Sequence, residues 1–149
     1  MPEISFYHLT KTPLEKALPQ LLEKAVASGK HIVLLSTSED QLTTLDNTLW
    51  TYSTKKFLPH GREQDGFAEK QPIYLTTTEQ NPNQAEILVL TDGAEPEYLP
   101  EFARILDVFD GNDEAAVTNA RTRWKKHQDA NHTLTYWQQD AKGAWQKAA

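Results

Sequence analysis

The chain has 149 residues, enough for one domain with a true hydrophobic core, and its 38% hydrophobic and 24% charged residues are globular rather than disordered proportions. A net charge of −6 argues against a general duplex-binding protein, whose affinity comes from neutralising phosphates, but leaves room for a local basic site. Cysteine is absent, which excludes disulfides, thiolate metal sites and a cysteine nucleophile.

The start, Met1-Pro2-Glu3-Ile4-Ser5, has no basic-then-apolar signal pattern, and no apolar run approaches membrane-spanning length; a soluble, cytoplasmic protein is expected. Ile4 to Leu9 is short and aromatic, a first strand. Thr12-Pro13 then offers an N-cap followed by proline at the first helical position. Leu14, Ala17, Leu18, Leu21, Leu22, Ala25 and Val26 follow at helical spacing, with a kink or restart expected at Pro19 and a stop at Gly29. His31 to Leu35 is the strongest strand, and its unbroken apolar character suits a central position covered on both faces. Ser38 with Gln41 makes a capping-box start for a second helix, which carries Leu42, Leu45 and Leu49 and reaches Trp50.

Residues 52–72 read as irregular, with Pro59, Gly61 and Gly66 marking loops. Further strands are predicted at Ile73 to Leu75, Ile87 to Leu90 and Ile105 to Phe109. Asp113 caps a long helix, and Thr133 to Trp137 alternates as a last strand before an end that is expected to fray from about Asp140. Strand, helix, strand, helix in the first fifty residues points to an open α/β sheet with mainly parallel strands: one Rossmann-like three-layer α/β/α domain over residues 1–149.

Catalytic patterns do not emerge. Gly29-Lys30 lacks the upstream glycine of a phosphate-binding loop and lies where a helix enters a strand, the reverse of the required order. The first strand-to-helix junction, His8 to Thr12, contains no glycine, which argues against a dinucleotide cradle. The five histidines show no ligand-like pairing, and His127 and His132 straddle a helix end, so no metal site is expected. The acidic run Asp110-Gly111-Asn112-Asp113-Glu114 does not follow calcium-loop spacing and reads as a loop ending in a helix cap.

The informative segment is Asn119-Ala120-Arg121-Thr122-Arg123-Trp124-Lys125-Lys126-His127, a tryptophan among four Lys and Arg residues in an otherwise acidic chain. On a helix Arg121, Trp124 and Lys125 stand at i, i+3 and i+4, an aromatic surface rimmed by positive charge that suits a ligand both apolar and anionic. The same residues also fit a plainer role. Trp124 lies near the apolar stripe of Ala116, Val117 and Ala120, and cations offset the dipole near a helix C-terminus.

Phe6-Tyr7-His8-Leu9, Ser28-Gly29-Lys30 before an apolar strand, Leu49-Trp50 followed by Phe57-Leu58-Pro59-His60, Val108-Phe109-Asp110 and Ala120 to Lys125 together resemble, in order and spacing, the chi subunit of bacterial DNA polymerase III holoenzyme. The resemblance covers nearly the whole chain. It implies an accessory subunit without enzymatic activity or cofactor, a connector that binds the psi subunit of the clamp-loader complex and the acidic C-terminal tail of single-stranded DNA-binding protein. It implies a monomer or a heterodimer with psi, no membrane contact and no tight direct nucleic-acid binding.

That tail ends in a phenylalanine bearing the terminal carboxylate, preceded by aspartates. By the resemblance Arg121 holds the carboxylate, Trp124 supplies apolar surface beside the phenylalanine, and Lys125 attracts the aspartates. The family often has tyrosine where Trp124 stands, so this chain keeps the ring and lacks the hydroxyl. Arg123 and Lys126 point elsewhere and read as steering charges. Leu49, Trp50 and Phe57 correspond to the surface that contacts psi, with Pro59-His60 shaping the loop. Two alternatives remain at this stage: a direct single-stranded nucleic-acid binder in which Trp124 stacks a base, and a nucleotide-dependent α/β enzyme.

Overall fold

A computed structural model describes residues 2–52 and 58–148. Among these described residues it is an α/β protein with seven strands and three α-helices: β1 (Glu3–Leu9), α1 (Leu14–Ala27), β2 (Ile32–Leu35), α2 (Glu39–Thr51), β3 (Ile73–Thr76), β4 (Ile87–Leu90), β5 (Arg104–Asp110), α3 (Glu114–Asp129), β6 (Thr133–Gln139) and β7 (Trp145–Lys147). The strands form one sheet in the order β3-β2-β4-β5-β1-β6-β7, parallel except for the antiparallel β7.

Alternation along the strands sends side chains to two separate cores. One face packs Leu9, Ile32, Leu34, Leu75, Val89, Leu106 and Val108 under the apolar stripes of α1 and α2. The other packs Ile4, Phe6, Val33, Leu35, Leu88, Ile105 and Phe109 under Ala120, Val117 and Trp124 of α3 and under Tyr98, Leu99 and Phe102. This is the expected three-layer α/β/α arrangement. β2 is buried along its whole length, as its sequence predicts for a central strand.

The helix ends follow local chemistry. Ser38 Oγ accepts from the Gln41 amide at 3.2 Å and starts α2, and Asp113 Oδ1 accepts from Ala115 and Ala116 at 3.0 and 3.3 Å and starts α3. Gly29 closes α1 in the left-handed region, φ +83°, where a side chain would be strained. Two expectations need correction. α1 begins at Leu14, with Pro13 as its N-cap and no side-chain cap, because the Thr12 hydroxyl is bonded to Gln139 instead. Pro19 does not restart the helix. It is buried within one unbroken element, and the donor it lacks would have served the carbonyl of exposed Glu15, where water can substitute.

The end of the chain is also more ordered than its composition suggests. Instead of fraying from Asp140, it turns and adds β7 to the edge of the sheet. Asp140 Oδ1 accepts from the amides of Lys142 and Ala144 at 2.8 and 3.0 Å, Gly143 takes φ +83°, and Trp145 packs edge-on against Tyr7 at 5.1 Å.

α3 is fixed to the sheet by a buried ion pair. Asp107 lies on the same face of β5 as Ile105 and Phe109, and accepts from Arg123 Nε at 2.7 Å and Nη2 at 3.0 Å. The two side chains are 1% and 3% exposed. Arg123 is thus a structural residue and not the steering charge expected from the sequence. Removing one partner strands the other charge in the core, so Asp107→Ala is expected to lower unfolding free energy by about 3–5 kcal/mol in urea titration. Joint replacement by Asp107→Leu and Arg123→Met is expected to recover most of that loss.

Candidate functional site

With Arg123 turned inward, the helical period dictates what α3 presents outward. Thr118, Arg121, Thr122, Lys125, Lys126 and Asp129 line a shallow open depression of about 560 Å³ along the exposed side of the helix. Arg121 and Lys125 therefore share one surface, as expected. Lys126, expected to point elsewhere, lines the same depression.

Trp124 stands at the border of that surface, half-buried. Its ring meets Phe6 at 5.4 Å and Tyr136 at 5.6 Å, both edge-on. Phe6 stacks on Tyr136 at 6.4 Å, and His8 and Phe109 complete the cluster at 5.0 Å from each other. Trp124 is thus both a core residue and a neighbour of the cationic face. Rings from β1, β5, β6 and α3 converge here, which no single stretch of sequence displays.

A polar connection runs along the cluster's edge. His8 Nδ1 and the Tyr136 hydroxyl lie 2.6 Å apart. Burial lowers the His8 pKa, with Arg121's charge acting in the same direction; burial raises that of Tyr136, which Arg121 opposes. The guanidinium therefore acts on both groups. Gly111 makes room for the imidazole, since a β-carbon there would overlap the His8 ring and the Leu9 carbonyl. In this way the turn after β5 holds a β1 side chain in place beside α3.

The second candidate surface lies at the end of α2. Leu49, expected on that surface, is 1% exposed and belongs to the core stripe with Leu42 and Leu45, so it lies under the helix and not on its exposed side. Trp50, next along the helix, is 54% exposed. Its ring rests against His60 at 4.5 Å. His60 is buried, with Nδ1 2.6 Å from the Leu58 carbonyl and Nε2 3.0 Å from Asp46 Oδ1, an ion-pair distance outside hydrogen-bond alignment. His60 thus packs under Trp50 as well as shaping the loop. Phe57 lies outside the described residues. Phe67 is a further exposed large apolar side chain, 70% exposed, that periodicity did not single out.

Among the described residues, no group of three or more His, Asp or Glu side chains is arranged to hold a metal ion, and no helix is long and apolar enough to cross a membrane. His127 and His132, which the sequence leaves unpaired, do come together, with ring centroids 5.4 Å apart.

Residues 1–135 match the family model described as DNA polymerase III chi subunit, HolC. A probable DNA polymerase III subunit chi from Rickettsia prowazekii is 41% identical over 117 residues, covering 74% of this chain and 71% of that protein. The DNA polymerase III subunit chi of Haemophilus influenzae is 27% identical over 125 residues, covering 81% and 86%. That of Pseudomonas aeruginosa is 26% identical over 139 residues, covering 90% and 94%.

The aromatic cluster has a pH signature. Burial, reinforced by His132 and Lys126, lowers the His127 pKa from 6.5 to about 4, with Glu95 opposing. The unfolded chain then binds the proton more tightly, so His127's contribution is complete above about pH 6.5 and declines as pH falls toward 4. Tm is expected to drop between pH 7 and pH 5, with a smaller drop in His127→Phe; scanning calorimetry at the two pH values measures both.

Proposed function

The chain belongs to the chi-subunit family of DNA polymerase III, and from that premise we propose that it is a non-catalytic adaptor of the replication machinery with two docking surfaces. One, on α3, takes the acidic C-terminal tail of single-stranded DNA-binding protein; the other, around Trp50, takes the psi subunit of the clamp loader.

The observation that carries the first assignment is the exposure of Arg121 and Lys125 on one surface beside the half-buried ring of Trp124. A terminal carboxylate needs a paired cationic donor, which the Arg121 guanidinium supplies. A terminal phenylalanine needs an apolar edge, which Trp124 offers at the border of the ring cluster. Preceding aspartates need positive charge, which Lys125 and Lys126 provide.

Base stacking by Trp124 is the weaker reading. The ring is half-buried and already packed against Phe6 and Tyr136 of the core, so only part of it is open to a base. The linking role draws support from the layers: α2, which carries Trp50, covers one face of the sheet, and α3 covers the other.

Titration with a tail peptide tests the assignment. Arg121→Ala is expected to weaken binding about 10- to 100-fold, the value of a charge-assisted hydrogen bond, with a smaller loss for Lys125→Ala. Binding is expected to weaken with added salt and to collapse when the last phenylalanine of the peptide is deleted. Unchanged affinity in Arg121→Ala would remove α3 from the proposal. Trp50→Ala is expected to impair capture of psi while leaving peptide affinity intact.

A further inference from the structure

Strand alternation puts His8 of β1 on the same face as Ile4 and Phe6, beneath α3. It is half-buried there, its ring centre 5.0 Å from that of Phe109 and 5.9 Å from that of Tyr136. Nδ1 lies 2.6 Å from the Tyr136 hydroxyl, and the imidazole fills the space that a β-carbon at Gly111 would need. Two elements therefore hold the ring, β6 through the hydroxyl and the turn after β5 through Gly111.

The groups that act on this ring come from three elements. Burial lowers His8 below its usual 6.5, and the Arg121 charge on α3 adds to that; backbone bonding to Gly111 and the charge of Asp110 at the end of β5 oppose it. Burial also raises Tyr136 above its usual 10.0, so the hydroxyl on β6 keeps its proton throughout the range in which His8 titrates. Arg121 is itself exposed and lines the α3 depression. One guanidinium thus acts on the histidine behind it and on any ligand in front of it.

Resting on the tail-site reading above, we propose that His8 is a proton-linked arm of the α3 site: a carboxylate seated on Arg121 draws a proton onto the imidazole, and acidic ligands bind more tightly as pH falls. The free guanidinium repels a proton on His8, and a bound carboxylate cancels that repulsion. By linkage, a ligand that strengthens proton binding at His8 is itself held more tightly once the proton is there. The proton comes from solvent. The Tyr136 oxygen and the Gly111 backbone are placed to accept from the charged ring, so protonation leaves neither nitrogen without a partner. Because His8 titrates below 6.5, the gain develops below that pH, and it precedes the loss of charge on the ligand's own carboxylates near pH 4.

NMR titration of the His8 ring tests this directly. Its midpoint is expected to rise in Arg121→Ala, and to rise in the wild type saturated with an acidic peptide ending in phenylalanine. Peptide affinity is expected to be about 2- to 5-fold higher at about pH 5.5 than at about pH 7.5, the size of a screened charge pair a few ångströms apart. His8→Leu is expected to abolish that gain. His127→Phe is expected to keep it, which separates His8 from the other histidine of lowered pKa near the site.

An unchanged His8 midpoint in Arg121→Ala overturns the proposal. So does peptide binding that leaves the midpoint in place, or a gain at low pH that survives His8→Leu. The NMR measurements need only the wild type and one surface substitution, so they decide even where His8→Leu does not fold. A peptide that fails to bind at any pH removes the tail reading instead. The Arg121→Ala titration then decides the coupling alone, and the two readings fail separately.

Discussion

The buried pair of Asp107 and Arg123 determines how α3 meets the sheet. Two parallel bonds from a planar guanidinium to a carboxylate fix distance and rotation together, which apolar packing alone does less strictly. Once Arg123 points inward, the helical period places Arg121 and Lys125 on the outer side and Trp124 at the boundary. The candidate surface is thus a consequence of an interaction in which it takes no part. A slip of one residue in α3 would bury a different cation and carry the ring away from Phe6 and Tyr136.

The carboxyl ends of the parallel strands carry a second long-range contact, between the first loop and β6. In nucleotide-binding proteins built on open α/β sheets, the first strand-to-helix loop uses glycines to bring backbone amides against phosphate. Here the amides of Thr10 to Thr12 are aimed inward all the same, and a glutamine from β6 meets them. The amides need an acceptor whatever the function, since unpaired buried N–H groups are costly. An internal acceptor satisfies them and ties the β6–β7 hairpin to the first loop of the fold.

Much of this was legible in the sequence because it is local. Ser38 and Asp113 cap their helices through atoms two or three residues away, and the apolar run of β2 needs no partner to be read. What was missed depends on residues far apart. Arg123 looked like one more cation in a basic run, and its partner lies 16 residues away in a strand dominated by apolar side chains. Alternation did carry a trace, because Asp107 shares a face with Ile105 and Phe109, where an unpaired acid would be untenable. Gln139 meets its loop across 127 to 129 residues, and nothing near it in the chain hints at that bond. The turn at Asp140 was readable, with an Asx acceptor and a glycine three residues on, but polar composition outweighed it.

The position of the two docking surfaces bears on how an adaptor of this kind would work. Trp50 belongs to the layer of α1 and α2, Arg121 and Lys125 to the layer of α3, and between them lies a sheet whose central strands are buried on both faces. Coupling between sites requires an element with two arrangements that both sites bias. A sheet held by a continuous ladder, with α3 pinned by a bidentate ion pair, resists such a shift. On the proposed reading the two partners bind independently, and the protein acts by holding them together. Its contribution is then effective concentration: each partner raises the local concentration of the other, and a modest affinity on the α3 face suffices.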